Sequence, residues 1–324
     1  MAKNPTVQDY VRFRLGGVLL LGLSAFAGQG RAELAPGDHA FTLNHQQRTR
    51  SYIVHVPRIA TFAPRAVVLN FHGGGGSAAN QQSYSRMDAT ADRHGFLAVY
   101  PNGTGRFGTR LLTWNAGTCC GSAQKENVDD VGFARAVIED LTQRTPIDRN
   151  RIYATGLSNG AMMAYRLAAE ASDLIAAIAP VAGGEMVDFH PSRPMAILHI
   201  HSVDDPRAQY AGGLGPSFPL TNSRVMHPAV EQTIARWATF DGCPRQPRAD
   251  VTLRGTGKTA THTATRITYA PCKAGTTVIL WKLTGSGHVW PGGRLDYLPG
   301  VLGAGTDVID ANDEMWKFFS RHTL

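Results

Sequence analysis

The feature that most constrains the fold is a Gly-x-Ser-x-Gly segment, Gly156 to Gly160, between a predicted strand and a predicted helix. Residues 151–155 are mostly β-branched or aromatic, and small residues from 161 onward favour a helix. A tight turn of this kind holds a serine clear of the backbone, where a histidine can remove its proton. The segment therefore predicts a nucleophile elbow with Ser158 as the nucleophile. The alternative is a turn that only needs small residues.

A second glycine-rich loop begins at His72, directly after the apolar run 65–71, which is typical of a buried strand. It lacks the Gly-Lys-Ser/Thr ending of a phosphate-binding loop. Backbone amides in such a loop, and at the start of a helix, can hold a developing oxyanion. We therefore predict an oxyanion hole formed by the amides of Gly74 and Asn159. We interpret His72 as a residue that braces the loop.

Candidates for the acid and the base follow two later strands. The strand predicted at 195–201 leads into Asp204 and Asp205, and the last clear strand, 276–283, leads into a glycine-rich turn that carries His288. The order serine, acid, histidine is the order that α/β-hydrolases use. By position both aspartates qualify as the acid.

Two other histidines, His199 and His201, lie within the strand that precedes the acid. We interpret them as core or edge residues. Asp129 and Asp130 open a predicted helix, and we interpret both as caps. Trp114 lies in a polar, glycine-rich loop, and the sequence leaves open whether it faces a substrate or pins the loop to the core.

The fold class follows from the alternation of strands and helices. Such alternation predicts a mostly parallel central sheet with helices on both faces, as in the α/β-hydrolase fold. The 324 residues are enough for one large domain, and no repeat or linker interrupts them. We therefore predict a single catalytic domain over residues 33–324.

The first 27 residues are predicted to be a secretory signal peptide. Lys3, Arg12 and Arg14 precede an apolar run at 15–23, and Ala25-Phe26-Ala27 forms a cleavage site. Cleavage after residue 32 is a second candidate. The apolar run is too short to span a bilayer. We therefore expect a secreted protein, extracellular or periplasmic, with no membrane partner after cleavage.

The chain has a formal net charge of +7. Its basic residues, such as Arg245, Arg248 and Arg254, are scattered and are not interleaved with aromatic residues. This pattern favours a solvated basic surface over a nucleic-acid partner.

Four cysteines in an exported chain suggest disulfides. Cys243 and Cys272 are spaced for an ordinary bridge. Adjacent α-carbons lie closer than a relaxed disulfide prefers, so a vicinal bridge between Cys119 and Cys120 would be strained. For this pair, a vicinal bridge and two free thiols both stay open.

Several segments taken together resemble one family. They are LNFHGG (69–74), WNAG (114–117), VDDVGF (128–133), GLSNGAM (156–162) and GHVWPG (287–292). Their order resembles the secreted esterases that include polyhydroxybutyrate depolymerases and bacterial feruloyl and acetylxylan esterases, which are similar to carbohydrate esterase family 1. Members usually carry His-Gly-x-x-Asp-Pro at the acid, which implies Asp205. Here Ser202 stands where that glycine is usual.

The resemblance implies two-step acyl transfer by Ser158, His288 and Asp205, without a metal or an organic cofactor. The chain leaves no room for a separate polymer-binding domain, so short hydroxyalkanoate oligomers are the expected substrates. Feruloyl or acetylxylan esters on plant polysaccharide are the alternative. Trp114 and Trp290 are candidate walls of the substrate pocket. A secreted binding protein that has lost catalysis is a further alternative, and fluorophosphonate labelling would separate it from an esterase.

Overall fold

The computed structural model describes residues 33–59, 63–218 and 222–324, and the predicted signal peptide lies outside them. Within the described residues, ten strands form one sheet in the order β1-β2-β4-β3-β5-β6-β7-β12-β11-β10. The strands are β1 (Gly37–His45), β2 (Arg48–Val56), β3 (Arg65–Phe71), β4 (Leu97–Pro101), β5 (Ile147–Leu157), β6 (Ala177–Val181), β7 (Ala196–Ser202), β10 (Arg248–Arg254), β11 (Thr263–Tyr269) and β12 (Val278–Thr284). A separate antiparallel pair consists of β8 (Gly213–Leu214) and β9 (Met226–His227).

The six central strands, from β4 to β12 in the sheet order, are parallel to their neighbours. The outer strands β1 and β2 at one edge, and β11 and β10 at the other, pair antiparallel. The structure therefore confirms the predicted fold class, a mostly parallel sheet. The antiparallel extension by β10 and β11 was not predicted, because those segments are short and polar.

Helices cover both faces of the sheet. They are α1 (Ala78–Ser85), α2 (Met87–His94), α3 (Gly121–Lys125), α4 (Asp130–Arg144), α5 (Asn159–Glu170), α6 (Val230–Phe240), α7 (Pro299–Leu302) and α8 (Ala311–Phe319). One apolar cluster contains buried residues of α4, α5 and α6, and a second contains buried residues of α1, α2 and α8. The core is therefore split into two layers by the sheet.

Strand β3 shows why the sequence produces two layers. Every residue of β3 is buried. Val67, Leu69 and Phe71 belong to the first cluster, whereas Ala66 and Val68 belong to the second. Because side chains alternate across a strand, a continuous apolar run supplies both faces at once. Central strands of this kind place the residues that follow them at one edge of the sheet.

Two disulfides are present. Cys243, just after α6, is bonded to Cys272, just after β11, with an S–S distance of 2.05 Å. The bridge ties the antiparallel edge of the sheet to a helix of the first cluster. Of the two alternatives for the adjacent cysteines, the structure contains the vicinal bridge between Cys119 and Cys120.

His55 on β2 lies among three carboxylates. Its Nδ1 is 2.6 Å from Asp38 and 3.8 Å from Asp88, and its Nε2 is 3.3 Å from Asp92. Burial alone would lower the pKa of His55, but these carboxylates outweigh it and the pKa is raised. The edge of the sheet away from β12 therefore carries a histidine stabilised in its charged form.

Across residues 33–59, 63–218 and 222–324, no helix has the length and apolar character needed to cross a membrane.

Candidate active site

Ser158 lies in a turn of unusual backbone geometry between β5 and α5. Its φ is 58° and its ψ is −117°, outside the regions that a non-glycine residue ordinarily adopts. Conformations of this kind cost about 1–3 kcal/mol and persist where the surrounding structure enforces them. Here Ser158 N donates to Val181 O at 2.9 Å, and Ser158 O accepts from Met162 N at 3.0 Å. The predicted elbow is therefore present, with its serine only partly buried.

The glycines around Ser158 are required by close backbone contacts. A Cβ added at Gly160 would lie 2.1 Å from Phe71 O, and one at Gly156 would lie 2.6 Å from the same oxygen. A Cβ at Gly183 would lie 2.3 Å from Ser158 O. Heavy atoms cannot approach so closely, so glycine is required at all three positions, and Gly156 and Gly160 let the start of α5 lie close to the end of β3.

The predicted oxyanion donors lie beside each other. A Cβ built on Gly74 would be 3.6 Å from the Cβ of Asn159. The Asn159 side chain is occupied elsewhere, since Oδ1 accepts from Trp114 N at 2.8 Å and Nδ2 donates to Trp114 O at 3.1 Å. Within the described residues, neither backbone amide donates a hydrogen bond. Neighbouring backbone N–H groups without an acceptor are able to hold an oxyanion.

His72 and Trp114 hold the glycine-rich loop that begins at His72 in place through hydrogen bonds. His72 Nδ1 donates to Gly73 O at 2.8 Å, and His72 Nε2 accepts from Gly103 N at 3.0 Å. Burial lowers the pKa of His72 to about 4, so the ring is neutral at neutral pH. Trp114 Nε1 donates to His72 O at 2.9 Å. These bonds fit the bracing role that the sequence suggested for His72.

The two tryptophans proposed as pocket walls are both buried. Trp114 is 0% exposed, and Trp290 is 1% exposed with its Nε1 donating to Asn312 Oδ1 at 3.1 Å. An indole without accessible surface offers no face to a ligand. We therefore correct the sequence-based expectation: both residues belong to the framework of the site and not to its walls.

The second candidate acid, Asp205, binds the candidate base. His288 Nδ1 lies 2.7 Å from Asp205 Oδ2, and both side chains are buried. The other oxygen, Oδ1, accepts from Arg207 N at 2.7 Å and Ala208 N at 2.8 Å. Burial alone would raise the pKa of Asp205, but the charge of His288 and the hydrogen bonds from His201 and His288 outweigh it, so the pKa is held well below its ordinary value.

The neighbouring acid, Asp204, has a different role. Its Oδ2 accepts from Gly285 N at 2.7 Å, at the start of the loop that carries His288. Ser202 Oγ donates to Ser286 O at 2.5 Å in the same loop. The serine that departs from the family pattern thus joins the acid loop to the histidine loop.

The strand order places Ser158, Asp205 and His288 at the same end of the sheet. Ser158 follows β5, Asp205 follows β7 and His288 follows β12. These strands belong to one parallel run of the sheet, β5-β6-β7-β12, so their carboxyl ends meet at the same edge. Ligands bind at this end of the sheet, outside the carboxyl ends of the parallel strands, in α/β folds.

The caps predicted before α4 differ in role. Asp129 is the cap, and its Oδ1 accepts from Gly132 N at 2.8 Å. Asp130 is instead buried, where it accepts from Arg50 Nη2 at 2.7 Å and from Asn115 N at 2.8 Å. It thereby fixes the loop that carries Trp114, a role that its position next to a helix start did not reveal.

The segment after Asp205 reaches back over the oxyanion loop. A Cβ built on Gly74 would lie 3.7 Å from Phe218 Cε1. Phe218 packs on a small apolar cluster that includes Met162, Met186 and the cysteines of the vicinal bridge. The vicinal pair is close to the site, since Cys119 Sγ is 4.0 Å from Asn159 Nδ2.

A cavity of about 710 Å³ opens beside this cluster. Its lining combines Met186 with charged or polar side chains, among them Arg166, Asp188 and His227. Burial and the charge of His288 together lower the pKa of His227 to about 4. A Cβ built on Gly215 would lie 2.9 Å from both Arg207 O and His227 Nε2, so this side of the cavity lies beside the segment that follows Asp205.

Comparison with known proteins, like the geometry of the site, indicates an esterase. The family model described as Esterase PHB depolymerase matches residues 50–241. A protein of Nocardia uniformis subsp. tsuyamanensis named "Putative esterase NocK" is 32% identical over 271 residues, which are 79% of this chain and 75% of that protein.

Feruloyl esterase B of Piromyces equi is 30% identical over 237 residues, covering 71% of this chain and 41% of that protein. The chain thus matches less than half of the length of that relative. The solved acetyl xylan esterase of Aspergillus awamori has a TM-score of 0.54 at 15% identity and covers 87% of this chain and 99% of its own, which shows a common fold. The chain therefore belongs to the Esterase PHB depolymerase family and is a carboxylic ester hydrolase.

Proposed function

We propose that the chain hydrolyses esters by an acyl-enzyme mechanism in which Ser158 is the nucleophile, His288 the base and Asp205 the acid. The observation that carries the proposal is the buried pair of His288 Nδ1 and Asp205 Oδ2 at 2.7 Å, at the sheet edge where the strained elbow presents Ser158. A carboxylate at Nδ1 holds the imidazole with Nε2 unprotonated, which is the form that can accept a serine proton.

In the first half of the reaction, Ser158 Oγ attacks the ester carbonyl carbon and its proton moves to His288 Nε2. The carbonyl oxygen becomes an oxyanion, which the amides of Gly74 and Asn159 stabilise. Each such donor is typically worth about 100-fold to 1,000-fold in rate. The tetrahedral intermediate then collapses, the alcohol leaves with the proton from His288, and Ser158 carries the acyl group.

In the second half, water attacks the acyl carbon while His288 takes one of its protons. The second tetrahedral intermediate collapses, the proton returns to Ser158, and the carboxylic acid leaves. Asp205 stays ionised throughout and stabilises the imidazolium that forms twice. The low pKa of Asp205 supports this role.

For the substrate, we propose short hydroxyalkanoate oligomers. The cavity beside the apolar cluster is lined by apolar side chains, such as Met186 and Val187, and by polar ones, such as Arg166 and His190. This mixture suits a short acyl unit that also carries hydroxyl and carboxylate groups. Because Trp114 and Trp290 are buried, neither offers an aromatic surface to ferulate.

Ferulate is the second candidate substrate class, because of Phe218 and the named relatives. Phe218 packs beside the oxyanion loop, where an aromatic acyl group could stack on its ring. Feruloyl esterase B of Piromyces equi belongs to the matched relatives.

The test is a comparison of kcat/KM for soluble 3-hydroxybutyrate oligomers and methyl ferulate on the mature protein. We expect a preference for the oligomers, and we expect Ser158→Ala to abolish turnover of both. A preference for ferulate that Phe218→Leu selectively removes would instead support the second class. Full activity in folded Ser158→Ala would overturn the mechanism.

We also propose that the protein is exported, on the basis of the signal peptide predicted at residues 1–27. Mass spectrometry of the protein from periplasm and culture medium should give a chain that begins at residue 28 or 33. An intact amino terminus in the cell interior would contradict export.

A further inference from the structure

A chain of three buried side chains leads from the nucleophile helix to the acid. Tyr165 lies on α5, and its hydroxyl is 2.9 Å from His199 Nδ1. His199 Nε2 is 3.0 Å from His201 Nδ1. His201 Nε2 is 2.7 Å from Ala208 O and 3.3 Å from Asp205 Oδ2. The side chains of Tyr165, His199 and His201 are at most 2% exposed, so bulk solvent does not reach them.

The carbonyl acceptor at the end of this row of side chains determines which nitrogen of each histidine carries a proton. Because the Ala208 carbonyl can only accept, His201 carries its proton on Nε2. His201 Nδ1 then accepts from His199 Nε2, and His199 Nδ1 accepts from the Tyr165 hydroxyl. Burial, with a smaller contribution from His201, holds the pKa of His199 well below its ordinary value. His199 therefore stays neutral, and the direction of the hydrogen bonds is preserved.

We propose that His201 is a positioning residue for Asp205, and that Tyr165 and His199 act by fixing the His201 ring. The proposal rests on the proposed roles of Ser158, Asp205 and His288. His201 Nε2 lies 3.3 Å from Oδ2, the same oxygen that accepts from His288 Nδ1, while its N–H group donates to Ala208 O.

Two backbone amides donate to Oδ1 and His288 Nδ1 donates to Oδ2, so three hydrogen bonds hold the Asp205 carboxylate, with His201 Nε2 beside it at 3.3 Å. The carboxylate cannot rotate without losing one of them. The bond from His201 to Ala208 O also holds the first turn of chain after the acid in place. His201 thereby fixes both the carboxylate and the backbone that supports it.

Packing alone does not explain this chain. Tyr165 and Ile197, which precedes His199 on β7, belong to the first apolar cluster, and buried polar groups in such a setting cost free energy unless each finds a partner. Replacing all partners of a buried network by apolar groups of the same shape is close to neutral for stability. A chain of satisfied polar groups that ends at the acid is therefore best explained by the orientation of that acid.

The test compares His201→Leu, His201→Gln and Tyr165→Phe, with His55→Leu as the matched control. Gln can place a donor near the position of Nε2, whereas Leu cannot. The imidazolium forms only in the transition state, so the loss should appear in kcat and not in KM. We expect His201→Leu to lower kcat about tenfold, comparable to the loss of one buried hydrogen bond, and His201→Gln to stay within about threefold of wild type.

Tyr165→Phe removes one oxygen and should lower kcat about two- to threefold. Combining it with His201→Leu should cause no further loss, because the effects of coupled residues on kcat are not additive. His55→Leu removes a buried histidine with carboxylate neighbours at the far side of the sheet, and it should leave kcat unchanged at pH 8. All rates are expressed per site titrated with a fluorophosphonate, which counts only folded protein with a reactive serine.

Wild-type kcat per titrated site in His201→Leu, with only a lower Tm, would overturn the proposal. So would equal losses in His201→Leu and His201→Gln. If His201→Leu does not fold, Tyr165→Phe becomes the deciding test. An unchanged kcat in Tyr165→Phe would then overturn the proposed role of Tyr165, His199 and His201. A wild-type protein that hydrolyses esters without being labelled would instead refute Ser158 as the nucleophile.

Discussion

Replacement of Asp205 by asparagine tests the proposed triad most directly, because the structure predicts how the new amide will orient. Oδ1 of Asp205 accepts from the backbone amides of Arg207 and Ala208. An asparagine NH₂ group on that side would face two donors, and each unmade buried bond costs about 1–3 kcal/mol. The amide oxygen will therefore occupy the Oδ1 position, and the NH₂ group will face His288.

A donor at this position reverses the tautomer of the base. His288 Nδ1 must then accept, so the proton of the neutral ring moves to Nε2, the nitrogen that should take the proton of Ser158. The same substitution in a serine protease triad lowers kcat by about 10⁴. We expect a similar loss in kcat/KM here, equivalent to about 5 kcal/mol of transition-state stabilisation.

The assay is hydrolysis of a p-nitrophenyl ester of a short acid, with fluorophosphonate labelling measured in parallel. Asp204→Asn is the matched control, because its amide oxygen can still accept from Gly285 N and we expect activity within a few-fold of wild type. Activity of Asp205→Asn within tenfold of wild type would refute the reasoning. So would a larger loss in Asp204→Asn than in Asp205→Asn.

Three further predictions concern the framework. Gly160→Ala places a Cβ 2.1 Å from Phe71 O, so we expect a large fall in Tm together with loss of labelling; a wild-type Tm would contradict the close contact. The pKa of His55 is raised on folding, so its contribution is full below the unfolded pKa of about 6.5 and is lost as pH rises through the folded value. In urea unfolding, the stability deficit of His55→Leu should shrink with rising pH, and a constant deficit would be inconsistent with this linkage. Replacing Cys243 and Cys272 together by serine should cost about 3–4 kcal/mol on the loop-entropy model, and an unchanged unfolding midpoint would argue against it.

The sequence was most informative where a local pattern has a single geometric solution. Gly156 and Gly160 lie on either side of Ser158 in one five-residue segment, and their spacing predicted the strained turn that the structure contains. The parallel sheet was predictable for a similar reason, because buried strands such as β3 read as continuous apolar runs.

The sequence was least informative about contacts between distant segments. Asp204 and Asp205 are adjacent, and their separate partners, Gly285 and His288, lie about 80 residues further along the chain. Only the family resemblance favoured Asp205. The burial of Trp114 could not be predicted either, since composition does not show which face of a loop packs inward.

His201 shows the same limit for the acid itself. It is the histidine of the His-Gly-x-x-Asp-Pro pattern, but the pattern does not show that Ala208 O and Asp205 Oδ2 both lie beside its Nε2. A search for histidines a few residues before the acid would have found it, but spacing alone could not have shown the direction of its hydrogen bond.

The attachment of Arg207 and Ala208 to Oδ1 of Asp205 has a consequence for protein engineering. The segment that reaches Phe218 and the cavity begins at these two amides, so the residues that select a substrate and the residues that support catalysis share one short piece of backbone. A chimaera in which this segment is exchanged between esterases should keep its upstream junction after residue 208. A junction at residue 206 would import foreign backbone beneath the acid, and altered specificity would then come with a slower enzyme.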